Sequence, residues 1–251
     1  MKETQTQLAK HFPIESQTTP NDRKFLFASI VLVSGLKQHY SYVEIGSYLG
    51  GSLTPFLLDA NCTLVLSIDE RGRQQPDERG AKFDYTGVTH RTMIDKLTEH
   101  GISTDKLQTF DGSVDTFGPS AQTFDVAFID GEHTDVACVR DFLWLLPMMK
   151  PDAVVMFHDS TLVFKALRII QLYLRKLGLP FRFMKKTDSA MSAIFLGRFS
   201  QADIAAIFGP EENADEFYAS SETALMHQQI KNRVKVRFTY EITPPMTISS
   251  F

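Results

Sequence analysis

Four apolar runs organise the middle of this chain, and each ends in polar chemistry. Val43-Glu44-Ile45 leads into Gly46, Leu64-Val65-Leu66-Ser67-Ile68 into Asp69-Glu70, Val126-Ala127-Phe128-Ile129 into Asp130-Gly131-Glu132-His133, and Val154-Val155-Met156-Phe157 into His158-Asp159. Runs of this length bounded by turn residues predict buried strands, and the stretches between them carry helical signals. Strand and helix therefore alternate, which predicts a parallel sheet with helices on both faces.

The elements can be placed. A helix is predicted over 20–36, with Thr19 as N-cap and Pro20 at its first position. Strands follow at 41–45, 62–68, 107–110, 126–129 and 153–157, with helices at 52–58, 89–100, 135–149 and 161–177. Strands at 181–185 and 192–196 bring the sheet to seven. Residues 1–20 are polar and predict a loose arm, 21–198 the main domain, and 199–251 an extension. Within that extension a helix is expected from 211 to about 230. Strict alternation over 234–242 predicts a strand, packed on the domain or serving as a homodimer arm. Residues 71–88 are polar and glycine-broken, too long for an ordinary connection; at the ligand edge they are a candidate lid.

Composition narrows the classes. At 251 residues and 43% hydrophobic content, one α/β domain accounts for most of the chain. A net charge of -4 without long like-charge runs excludes the electrostatic footprint of a nucleic-acid or anionic-membrane binder. The longest apolar run, 25–33, is far short of the ~20 residues needed to span a bilayer, and no signal-like segment opens the chain, so a cytoplasmic protein is expected. Cys62 and Cys138 have no metal-ligand spacing and read as buried free thiols.

The chemistry sits at the strand ends, the edge where open α/β sheets bind ligands. The first turn reads Glu44-x-Gly46-x-x-x-Gly50, with a carboxylate where a dinucleotide fold places its first glycine. A carboxylate there repels a diphosphate and suits a cationic ligand, so a nicotinamide-dependent oxidoreductase is disfavoured. S-adenosylmethionine, with its ammonium and sulfonium, is such a ligand.

Val43-Glu44-Ile45-Gly46-Ser47-Tyr48-Leu49-Gly50-Gly51-Ser52, Phe128-Ile129-Asp130-Gly131-Glu132-His133 and Phe157-His158-Asp159 together resemble the class I S-adenosylmethionine-dependent methyltransferases, over roughly residues 25–198. The branch is the one containing macrocin O-methyltransferases and cephalosporin-hydroxylase-type proteins. The resemblance implies a Rossmann-like fold and O-methylation of a small-molecule hydroxyl on a sugar, polyketide or other secondary metabolite. It implies cofactor contacts from Glu44, Gly46, Ser47, Tyr48, Gly50 and Ser52, with Glu44 holding the ammonium directly or through water. Asp69 would take the ribose hydroxyls, and Asp111, Gly112 and Ser113 the adenine; Asp130 and His133 complete the cofactor side, unless His133 caps the following helix.

In metal-dependent relatives an Asp after the fourth strand and a pair after the fifth bind a divalent cation. Asp130, His158 and Asp159 occupy those positions here and are the expected catalytic and metal residues. Imidazole is a poor partner for Mg²⁺, so His158 reads as a ligand to a softer ion or as the general base. A different class also satisfies the motifs, a cofactor-binding protein without catalysis that serves an assembly through its extension.

Overall fold

The computed structural model of the chain describes residues 8–118 and 120–242. Its strands are β1 (Tyr40–Ile45), β2 (Cys62–Asp69), β3 (Gln74–Pro76), β4 (Lys82–Asp84), β5 (Leu107–Asp111), β6 (Phe124–Ile129), β7 (Met149–Phe157), β8 (Phe181–Lys185) and β9 (Ser192–Leu196). Seven of them form one sheet in the order β5-β2-β1-β6-β7-β9-β8, and β3 and β4 make a separate antiparallel ribbon. The five strands from β5 to β7 run parallel, while β9 is antiparallel to both β7 and β8. This is the expected Rossmann-like, mostly parallel, seven-stranded sheet.

Around the sheet lie helices α1 (Pro20–Ser34), α2 (Thr54–Leu58), α3 (His90–Glu99), α4 (Val114–Phe117), α5 (Asp135–Leu145), α6 (Phe164–Lys176), α7 (Ile204–Phe208) and α8 (Ala214–Ile242). Alternate strand residues join two cores. Tyr42, Phe128 and Met156 pack with Phe25, Phe56 and Met93, whereas Val43, Ile129 and Phe157 pack with Phe142, Leu167 and Ile170. Burial on both faces is why the central strands read as continuous apolar runs rather than alternating ones. Each buried side chain of this size contributes about 1.5–3 kcal/mol.

Thr19 caps α1 through a capping box, its hydroxyl accepting from the Asp22 amide while the Asp22 carboxylate accepts from the Thr19 amide at 2.8 Å. Both cysteines are buried and free, as expected. No helix among the described residues is long and apolar enough to cross a membrane.

Three expectations need correction. Residues 8–18 of the polar arm do not hang free, because Phe12 and Ile14 are buried in the first core and residues 14–16 lie against Gly51. Two apolar anchors in a polar stretch suffice to dock it. The 71–88 segment is not a plain loop but folds into the β3–β4 ribbon. The Asp77 carboxylate closes its turn by accepting from the Arg79 and Ala81 amides, and Gly80 takes φ +76. The strand expected over 234–242 is instead the continuation of α8. Alternation expresses only a fit to a pleated surface, and a segment without a neighbouring strand satisfies its backbone as helix. The outer parts of the expected arm and extension, 1–7 and 243–251, lie outside the described residues.

Candidate active site

Ladder hydrogen bonds run one residue past the strands and align the predicted positions along one edge. Gly46 donates to Ile68, Asp130 to Ile45, His158 to Ile129 and Gly112 to Asp69, all backbone to backbone at 2.8–3.1 Å. The parallel register thus brings Gly46, Asp69, Asp130 and His158 to neighbouring places from positions far apart in the chain.

The β1–α2 turn explains its glycine. Gly46 has φ +88, and a Cβ there would lie 2.1 Å from the Asp130 carbonyl oxygen, so only glycine permits the approach of the β1 and β6 ends. Tyr48 follows at φ +47, a conformation non-glycine residues rarely hold, and its amide donates to Asp69 Oδ2 at 2.7 Å. Asp159 shares that unusual backbone, at φ +46. Strained backbone of this kind clusters at functional sites.

A solvent-open cleft of about 570 Å³ lies over this turn. Of the predicted residues, Gly46, Ser47, Tyr48, Ser52, Asp69, Asp130 and His133 line it, together with Gly131, residues 16–18 and Tyr85, which the sequence did not single out. A neighbouring cavity shares Gly46, Asp69 and Gly131 and runs on to Gly112, Ser113 and Asp141. Burial raises the Asp69 carboxyl, against the Arg71 guanidinium and the amides of Tyr48 and Ser47. Burial likewise lifts Asp141 to about 6, against its partner Arg140.

Several predicted residues sit differently. Glu44 is fully buried beneath the turn, with its carboxylate bonded to the Tyr42 and Ser52 hydroxyls, so Ser52 stands between it and the cleft. Burial pushes its carboxyl up to about 8, against those two hydrogen bonds. Gly50 packs against Met93 behind the turn rather than facing the cleft. Asp111 accepts from Arg71 at 2.5 Å and lines a separate outer groove.

Arg71 escaped the sequence reading because it begins a polar segment that looks solvated. Its side chain is only 3% exposed, and it donates to Ser47 and Ser67 as well as Asp111. It fastens the glycine turn to the ends of β2 and β5.

Beside the cleft four ionisable groups converge. Asp130, His133 and Asp159 each offer a ligand atom within 4.8 Å of the others, so His133 joins the carboxylates where His158 was expected. His133 Nε2 lies 3.2 Å from Asp159 and 3.8 Å from Asp130. It lines the cleft and does not cap α5, a role Thr134 fills through the Ala137 amide.

His158 lies behind them, buried, with Nδ1 3.1 Å from Asp130 and 3.3 Å from Asp159 and Nε2 3.5 Å from Asp22. Neither nitrogen is aligned for a hydrogen bond with these carboxylates. Burial opposes charge on the ring, but the carboxylates, Asp130 foremost, raise it well above the ordinary histidine range. Burial also opposes charge on Asp22 and Asp159, and His158 in turn holds both below the ordinary carboxylate range. His158 is thus set behind the cleft with carboxylates on both ring nitrogens, whereas His133 faces the cleft.

Residues 43–160 match the family model of a methyltransferase domain. No curated protein matches the sequence. Among solved structures, the O-methyltransferase NovP superimposes with a TM-score of 0.56 at 12% identity, covering 78% of this chain and 98% of its own. An O-methyltransferase from Bacillus cereus in complex with SAH gives 0.51 at 14%, with 78% and 90% covered. TomG from Streptomyces achromogenes, an O-methyltransferase involved in tomaymycin synthesis and solved with SAM, gives 0.50 at 14%, with 77% and 88% covered. These likenesses show the fold.

Proposed function

Proceeding from a methyltransferase domain over residues 43–160, we propose that the protein uses S-adenosylmethionine to methylate a hydroxyl of a small molecule. One observation carries this reading. A single cleft is lined by the glycine turn and Asp69 and by Asp130 and His133 together. Its carboxylates suit a cationic cofactor, and the turn lets a ligand approach the backbone closely. The cofactor, when bound, supplies an electrophilic methyl on its sulfonium, so the protein's share is positioning and proton removal.

In this reading Asp69 accepts the ribose hydroxyls. Ser47 and Ser52 serve the amino-acid part, with Glu44 acting through Ser52, and Gly112 and Ser113 border the adenine. At the acceptor end His133, facing the cleft and oriented by Asp159 and Asp130, takes the hydroxyl proton. His158 is a positioning residue, an internal cation that holds the two carboxylates in place.

A second reading of the acceptor end is favoured by the convergence of Asp130, His133 and Asp159. Two carboxylates and an imidazole would suit Mn²⁺ or Zn²⁺ better than Mg²⁺, and an ion there would lower the acceptor hydroxyl's pKa. His158 Nδ1 already lies 3.1 and 3.3 Å from the same two carboxylates, which ranks this reading second.

The test is calorimetric titration with S-adenosylhomocysteine before and after treatment with a chelator, repeated with Mn²⁺. Binding that the chelator leaves unchanged is the expected result. A binding loss restored by Mn²⁺ would promote the metal reading, and a folded protein that binds no S-adenosylhomocysteine would sink both. Binding without turnover of any hydroxylated acceptor would favour the non-catalytic assembly protein.

A further inference from the structure

Residues 77–79 turn at the tip of the β3–β4 ribbon and are joined from both sides. On one side they reach His133. Asp77 bridges to it as a short parallel pair, and the Glu78 amide donates to the His133 carbonyl at 3.0 Å. The Glu78 carboxylate also accepts from the Asp135 amide at 2.7 Å, at the start of α5. The Phe83 ring meets the His133 ring edge-on, with centroids 6.0 Å apart, and the Arg79 guanidinium lies over the Phe83 ring.

On the other side the turn is held by α8. Gln229 Nε2 donates to the Glu78 carbonyl at 2.8 Å, and Asn232 Nδ2 to the Arg79 carbonyl at 2.7 Å. Two side-chain amides about one helical turn apart thus grip successive carbonyls of one turn. Upstream, Phe217 and Leu225 bury the same helix in the second core, so it is a fixed support.

We infer that the C-terminal helix is a working part of the acceptor half of the site: through Gln229 and Asn232 it fixes the 77–79 turn, and the turn fixes His133. Gln229, Asn232 and Glu78 are positioning residues, none of which lines the cleft. The assignment explains two segments that the methyltransferase core does not require, the 71–88 insertion and the chain beyond 199, as one device spanning more than 150 positions of sequence. It rests on the reading of His133 as the acceptor-side group.

The doubly substituted protein Q229E/N232D tests it, since both replacements keep the side-chain size yet turn each donor into an acceptor facing a carbonyl. Loss of two hydrogen bonds to the turn should raise the rate of tryptic cleavage at Arg79 by about tenfold or more. The His133 ring resonances, followed with ¹³C-labelled histidine, should shift and broaden. Affinity for S-adenosylhomocysteine should stay within about twofold, because Asp69 and the glycine turn do not touch α8, so that sites this separate act independently.

Cleavage and His133 resonances like those of the parent protein would overturn the inference. Loss of S-adenosylhomocysteine binding in the parent protein would instead overturn the methyltransferase reading. Should the double variant unfold, N232D alone carries the test, with the same two readouts and a smaller change; an unaltered His133 signal there would also overturn the inference.

Discussion

The Tyr48 amide donates to Asp69 Oδ2 at 2.7 Å, tying the glycine turn after β1 to the end of β2. One carboxylate oxygen is therefore committed to holding the turn, while Asp69 also faces the cleft. Replacing it with Asn keeps one acceptor and removes the charge. Asp69→Asn should weaken S-adenosylhomocysteine binding by roughly ten- to a hundredfold, the range for losing a charge-assisted hydrogen bond. Calorimetry reads this directly, and affinity within twofold of the parent would remove Asp69 from the proposed ribose site.

Removal of His158 leaves three carboxylates facing one another. Breaking a buried ion pair by deleting one partner costs about 3–5 kcal/mol, so His158→Gln should lower the chemical-denaturation stability by that order. Asp22→Asn removes only one of the three partners and should cost less. Equal losses would mean that Asp22 acts mainly through the α1 cap.

The Glu44 carboxyl titrates upward on folding, from an ordinary 4.5 to about 8. Between those values the folded protein holds a proton that the unfolded chain has released. Stability from this group is thus complete below pH 4.5 and is lost as the pH rises toward and past 8, by on the order of a few kcal/mol. Glu44→Gln should flatten that decline, and melting curves from pH 5 to 9 should converge on the parent's at the acidic end and exceed it at the alkaline end. Parallel curves throughout would show that the carboxyl ionises as easily as in water.

Two glycines of the site separate cleanly. Gly46→Ala places a Cβ 2.1 Å from a backbone oxygen at φ +88, whereas at Gly131 the nearest atom to an added Cβ is a side-chain oxygen of Asp141 at 3.3 Å. The first should be destabilised by more than about 3 kcal/mol or fail to fold, and the second by about 1 kcal/mol or less. Denaturant titration of the pair checks the ordering.

The core fold was legible because burial on both faces leaves a strong, simple mark on five strands, and because turn chemistry such as Thr19-Pro20 is local. The meeting of Asp69, Asp130 and the glycine turn at one sheet edge was legible for the same reason, since each closes a recognisable run. Arg71 and Gln17 were not, because a polar residue in a polar stretch carries no sign that tertiary packing will enclose it. The different placement of His133 and His158 lay beyond sequence altogether. It depends on which ring faces the cleft and which is surrounded by carboxylates, and Asp22, the residue that completes that surround, lies more than a hundred positions away. The 234–242 alternation misled because a pattern suited to a pleated surface acts only where a partner strand exists.

Asp22 closes the capping box of α1, accepts from the Ser189 hydroxyl and the Ala190 amide, and stands 3.5 Å from His158. A change that looks like ordinary helix trimming at the start of the domain would therefore be felt as a charge imbalance behind Asp130 and Asp159. Homologues that replace Asp22 should then be found to have replaced residue 158 as well.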